Sequence, residues 1–152
     1  MIPLIIPSYE PDERLLQLLN TLRDYPFGPV LLVNDGSGPV YQTFFDRAKE
    51  LLQEKLILLS HEVNRGKGRA LKTAFAYVLE HFPDAAGCVT ADSDGQHSAA
   101  AIESIAQGLD KHPESLILGM RTFDGDEIPW KSRFGNTITM SVFSYIAGTK
   151  VH

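Results

Sequence analysis

Cysteine is almost absent from the 152 residues: Cys88 stands alone. It has no partner for an internal disulfide, so a reducing compartment is expected and a buried core thiol is the expected role. Long hydrophobic runs are missing too. No stretch approaches the roughly 18 apolar residues that a bilayer span requires. The opening "MIPLIIPSYEP" has no basic flank and meets Pro7 too early for a signal peptide, so a cytoplasmic location is expected. Positive charge is also scarce. A net charge of -5 argues against nucleic acid or an anionic membrane as the main partner, while leaving room for a small phosphorylated ligand. There is no repeat, low-complexity tract or linker. With 43% hydrophobic and 22% charged residues, the composition suits one globular domain over 1–152.

Short apolar runs alternate with helical patterns. "PLIIP" (3–7), "VLLVN" (30–34), "LILLS" (56–60), "GCVTA" (87–91) and "LILG" (116–119) read as buried strands. The segments between them carry apolar residues at helical spacing. Leu15, Leu18, Leu19 and Leu22 form one stripe, and Leu71, Phe75, Val78 and Leu79 form another. Such alternation predicts an α/β fold, a mostly parallel sheet with helices on both faces. Ligands then bind beyond the carboxyl ends of the strands. The chemically unusual residues fall there: "PSYEP", "NDGSG", "HEVNRGKG", "DSDGQH" and "GMRTFDGDE" follow the five runs in turn.

Asp92 and Asp94 stand one residue apart in the fourth of these loops. In a turn, that spacing lets both carboxylates approach one side, where hard divalent cations find oxygen ligands. Gln96 can add a carbonyl, whereas His97 is softer than such a cation prefers. The alternative is an Asp-rich turn with Ser98 capping the next helix. Asp35 sits between a strand and Gly-rich backbone, placed to accept from a base imide or a ribose hydroxyl, or merely to make a D-G turn with Ser37 as a cap. "NRGKGRALK" gathers Arg65, Lys67, Arg69 and Lys72 at a helix start, suited to an anion or to solvent. It is not a Walker A loop, and no G-x-G-x-x-G follows the first strand. Arg121, Lys131 and Arg133 form a later basic group whose guanidinium forks suit phosphate oxygens.

Taken in order, P-S-Y-E, N-D-G-S, N-x-G-K-G-x-A, D-S-D-G-Q-H, G-x-R and R-F-G-N resemble the family 2 glycosyltransferases of GT-A fold, especially the dolichol-phosphate mannose synthase and polyprenyl-phosphate glycosyltransferase branch. The resemblance implies a Rossmann-like nucleotide-diphospho-sugar transferase sandwich. Pro7, Tyr9 and Glu10 would line the nucleoside pocket, and Asp35 would recognise the base. Asn64 and Gly66 would let the backbone approach the nucleotide beside Lys67. Asp92, Asp94 and Gln96 would hold Mg²⁺ or Mn²⁺ against the diphosphate of a GDP- or UDP-hexose. Asp94, Arg121 and Arg133 would carry catalysis, the arginines neutralising the leaving group or the acceptor phosphate. A polyprenyl phosphate acceptor is already anionic and needs no strong base. A sugar hydroxyl would need one, and only Asp124, Asp126 and Glu127 are late candidates. The Q-x-x-R-W signature of processive synthases is absent. Relatives usually continue past the final "TKVH", so a chain truncated at its C-terminus is expected, with membrane association through the missing portion at the cytoplasmic face.

Three other readings compete. The "DSDGQ" loop looks like the D-x-D-G-T nucleophile loop of haloacid dehalogenase-type phosphatases, with Gln96 in place of threonine. A sugar nucleotidyltransferase would need a Gly- and Arg-rich first loop, which "PLIIPSYEP" lacks. A nucleotide-sugar-binding module without turnover would share the same pocket.

Overall fold

A computed structural model describes residues 1–24, 26 and 28–119. Four of the apolar runs form parallel strands: β1 (Leu4–Ser8), β2 (Val30–Asp35), β3 (Leu56–His61) and the short β4 (Val89–Thr90). Their order is β3-β2-β1-β4. In register, Leu4 lies opposite Val30 and Val89, and Val30 opposite Leu56.

The continuous apolar character of β1 and β2 follows from burial on both faces. Successive side chains alternate between them. Leu4, Ile6, Val30 and Leu32 face one core, shared with helices α1 (Glu13–Leu22), α2 (Gln42–Leu52) and α4 (Ala99–Lys111). Ile5, Leu31 and Val33 face the other, against α3 (Lys67–His81). The expected α1 stripe is buried in full, with Leu16 beside it. Asp12 caps that helix by accepting from the Arg14 N–H at 2.9 Å, and Ser98 caps α4 by accepting from the Ala101 N–H at 3.2 Å.

Three expectations are corrected. The buried face of α3 is Ala70, Ala74 and Val78, not the stripe of Leu71, Phe75, Val78 and Leu79. Small residues four apart let the helix lie close on the sheet, which leaves Leu71 flanking the core, Phe75 39% exposed and Leu79 78% exposed. The fourth strand covers only Val89–Thr90 of the expected 87–91. The fifth run, 116–119, forms no strand: Leu116 and Leu118 are exposed, and Ile117 lies close to Gly108 of α4 instead. Its four residues carry an apolar pattern too short to separate a strand from a segment lying along a helix.

β1 to β3 step outward in one direction, and the chain then crosses back to lay β4 on the other side of β1. α1 and α2 cover one face and α3 the opposite one, as right-handed crossovers require when the direction reverses. The switch point therefore falls between β1 and β4.

Candidate functional site

At the carboxyl ends of these strands lies a cleft of about 350 Å³. Pro7, Ser8 and Tyr9 come to it from β1, and Asp35 from β2. Asn64, Gly66 and Lys67 come from the β3–α3 connection, and Asp92, Ser93 and Asp94 from the loop after β4. Most of the nucleotide and metal candidates named from sequence thus share one cavity. Glu10 and Gln96 are exposed and are not among its lining residues. Arg121 and Arg133 lie outside the described residues, as do Asp124, Asp126, Glu127 and Lys131.

The loops are stitched to one another. The Glu10 N–H donates to Ser37 Oγ at 2.9 Å, joining the loops after β1 and β2. Ser37 is therefore a tie between loops, and not the helix cap that its position suggests. The Arg65 N–H donates to Asp35 Oδ1 at 3.0 Å, joining the loops after β2 and β3. Lys67 Nζ reaches Asp92 Oδ1 at 2.5 Å, joining β3–α3 to the Asp-rich loop. Glu10 itself has φ 49, a left-handed conformation uncommon outside glycine. Its carboxylate beside Tyr9 pushes that phenol above its ordinary range.

Asp35 is buried, its side chain 4% exposed. Burial alone would push the carboxyl up. His61, whose Nδ1 lies 2.6 Å from Oδ1, and the backbone N–H groups of Arg65 and Gly66 outweigh it and hold the group below the usual carboxylate range. An ionised carboxylate accepts only, so His61 Nδ1 carries the proton in this contact. The far ring nitrogen, Nε2, meets Thr73 Oγ1 at 2.9 Å.

In the Asp-rich loop, Asp94 Oδ1 accepts from the Gln96 N–H at 3.0 Å across Gly95, whose φ is 74. His97 is turned to structural use, since its Nδ1 accepts from the Asp92 N–H at 3.0 Å. Among the described residues no group of three or more His, Cys, Asp or Glu could hold a metal. The described residues by themselves therefore build no all-protein cage. The donor chemistry nonetheless fits Mg²⁺ or Mn²⁺, because such ions take one or two carboxylates and fill the remaining positions with water and phosphate oxygens. Asp92 and Asp94 line the same cleft, and the Lys67 ammonium pairs with Asp92 there. That ion pair is largely solvent-exposed, so it opposes exchange for a divalent ion only weakly.

Ser8, Ser93, His61 and Thr73 were not singled out from sequence. Ser8 lies inside the quoted "PSYEP", but its signal is burial, which the one-dimensional pattern does not carry. Its Oγ is buried at the cleft and, among the described residues, is the one such side-chain atom without a hydrogen-bond partner. An orphaned buried hydroxyl costs stability that a bound polar group would recover. Ser8→Ala is accordingly expected to leave the melting temperature unchanged or raised while weakening affinity for a polar ligand bound in the cleft by about three- to tenfold, one net hydrogen bond. Thermal melts and calorimetry on the same preparation separate the two effects.

Residues 4–150 match Glycosyl transferase family 2, and the chain belongs to that family. Its α/β fold is of the GT-A type. A UDP-N-acetylglucosamine–dolichyl-phosphate N-acetylglucosaminyltransferase of Methanococcus voltae is 27% identical over 169 residues, covering 97% of this chain and 63% of that protein. An uncharacterised protein of Methanocaldococcus jannaschii is 26% identical over 148 residues, covering 95% of this chain and 57% of that protein. The chain thus spans about three-fifths of the length of these curated relatives. The crystal structure of S. aureus TarS 1-349 is similar with a TM-score of 0.57 and 25% identity, over 84% of this chain and 38% of that one.

Proposed function

We propose that the protein transfers a sugar from a nucleoside-diphosphate donor, a GDP- or UDP-hexose, to a polyprenyl (dolichyl or undecaprenyl) phosphate, with inversion at the anomeric carbon. The observation that carries the reading is the convergence of Tyr9, Asp35, Asn64, Gly66, Asp92 and Asp94 on one cleft at the switch point of the sheet. The Methanococcus relative, a UDP-N-acetylglucosamine–dolichyl-phosphate N-acetylglucosaminyltransferase by name, supports a UDP-linked sugar and a dolichyl phosphate acceptor.

Asp35 would offer an acceptor for a base N–H, and Pro7 and Tyr9 line the same cleft. The backbone around Gly66 is open: a β-carbon there would meet nothing within 4 Å, so a diphosphate can approach the start of α3. Asp92 and Asp94 would hold Mg²⁺ or Mn²⁺, which when bound neutralises charge on the departing diphosphate. Lys67, at the same wall, adds a further positive charge near the phosphates. In the reaction an oxygen of the acceptor phosphate bonds to the anomeric carbon as the bond to the nucleoside diphosphate breaks. No proton need be removed from an acceptor already ionised. Arg121 and Arg133 are proposed to neutralise the leaving group or the acceptor phosphate.

No described helix is long and apolar enough to cross a membrane. A lipid acceptor would be met at the cytoplasmic face of a bilayer. The haloacid dehalogenase reading of the Asp-rich loop accounts for none of the residues that come to the cleft from the other three strands.

The test is incubation of the full-length protein with radiolabelled UDP-N-acetylglucosamine, other labelled UDP- and GDP-hexoses, and dolichyl or undecaprenyl phosphate. Label passing into the lipid phase is the expected result. Nucleotide binding with no transfer for any donor would favour a binding module and contradict the reading.

A further inference from the structure

Base recognition by a single carboxylate depends on what holds that carboxylate. Asp35 sits at the end of β2, His61 at the end of β3, and Thr73 one helical turn and a half into α3. They form one part-buried line: Thr73 Oγ1 to His61 Nε2 at 2.9 Å, then His61 Nδ1 to Asp35 Oδ1 at 2.6 Å. The His61 side chain is 7% exposed. Only Asp35 of the three lines the cleft.

We propose that His61 and Thr73 are positioning residues for nucleobase recognition, fixing the Asp35 carboxylate so that one oxygen faces a ligand N–H and thereby setting the preference for bases that carry one. The inference rests on the glycosyltransferase reading and adds to it two residues that do not touch the ligand.

The geometry gives each atom its task. His61 Nδ1–H and the Arg65 N–H converge on Oδ1 and the Gly66 N–H also bonds the carboxylate, whose two oxygens together still keep acceptor capacity for the cleft. With its proton on Nδ1, a neutral His61 ring presents a lone pair at Nε2, and the Thr73 hydroxyl donates to it. Thr73 thus selects the tautomer that points a proton at Asp35. Without that proton the buried carboxylate loses its strongest partner and can rotate or take up a proton of its own. A protonated or rotated Asp35 no longer presents a pure acceptor. Uracil N3–H and guanine N1–H meet a pure acceptor well, whereas cytosine N3 and adenine N1 present lone pairs to it.

The bland possibility is that the line merely satisfies buried polar groups. That role predicts loss of stability, with any loss of affinity spread evenly over nucleotides. Positioning predicts a change in preference. Calorimetric titrations of UDP, GDP, CDP and ADP against wild type, Thr73→Val, His61→Leu and His61→Asn separate them, with thermal melts alongside. Wild type is expected to bind UDP or GDP at least about tenfold more tightly than CDP and ADP. Thr73→Val and His61→Leu should lower that ratio about five- to tenfold. His61→Asn, which keeps an N–H near the place of Nδ1, should restore most of the ratio. Should His61→Leu fail to fold, Thr73→Val and His61→Asn still decide the matter. Variants that keep the wild-type ratio, or that lose affinity for all four nucleotides alike, overturn the inference while leaving the glycosyltransferase reading in place. Wild type that binds none of the four overturns both.

Discussion

Gly36→Ala is expected to destabilise the protein by more than about 3 kcal/mol and to abolish nucleotide binding with it. Two costs add. Gly36 has φ 73, a region that residues with a β-carbon rarely adopt. A β-carbon there would lie 2.6 Å from Val63 Cα and nearer still to the Val63 carbonyl carbon and the Asn64 nitrogen, all of them backbone. No side chain can swing aside, so the loop after β2 and the loop after β3 must part. These are the loops that hold Asp35 against His61 and bring Asn64 to the cleft. Gly66→Ala supplies the control. Its φ is 85 with ψ 151, a region essentially reserved for glycine, yet the space around it is open, so only a conformational cost of about 1 to 3 kcal/mol applies, with no clash. Thermal unfolding should show a drop of about 10 °C or more for Gly36→Ala and a few degrees for Gly66→Ala. Equal drops would mean that the contact between the loops is unimportant.

Asp35→Asn should reverse the nucleotide preference instead of erasing it. Oδ1 accepts from both His61 and Arg65, so the amide oxygen of an asparagine must take that place. The amide nitrogen then faces the cleft and turns an acceptor into a donor. Uracil N3–H would meet an N–H, and cytosine N3 would gain a partner. UDP affinity is expected to fall by about 100-fold while CDP becomes the tighter ligand, a swing built from one lost pairing and one repulsion. Competition binding of UDP against CDP measures it directly. A variant that still prefers UDP would show that Asp35 does not read the base.

Much of this site was legible along the chain because the sheet is parallel. Every strand ends at the same edge, so "NDGSG" and "DSDGQH" had to meet once their preceding runs were strands. The links between loops were hidden. His61 was quoted only as part of "HEVNRGKG", because its partners, Asp35 and Thr73, depend on the β2–β3 register and on the facing of α3. That facing was itself misread. A stripe weighted by size picks Phe75 and Leu79, whereas close packing on a sheet is done by Ala70 and Ala74. The 116–119 run failed for a different reason: four apolar residues suit a strand or a segment lying on a helix equally well.

Asp92 and Asp94 are proposed to hold a divalent ion to the diphosphate of a nucleotide. Calorimetric titration of UDP into wild type and Asp94→Ala, each with Mn²⁺ and with chelator, tests it most directly. Wild-type binding is expected to weaken on the order of 100-fold on chelation, as about 3 kcal/mol of metal–phosphate attraction is removed. Asp94→Ala should bind as weakly with Mn²⁺ as wild type does without it, and chelation should then change nothing further. Tight UDP binding that ignores chelator in wild type, or that survives Asp94→Ala, would mean that no metal held by these aspartates bridges to the diphosphate.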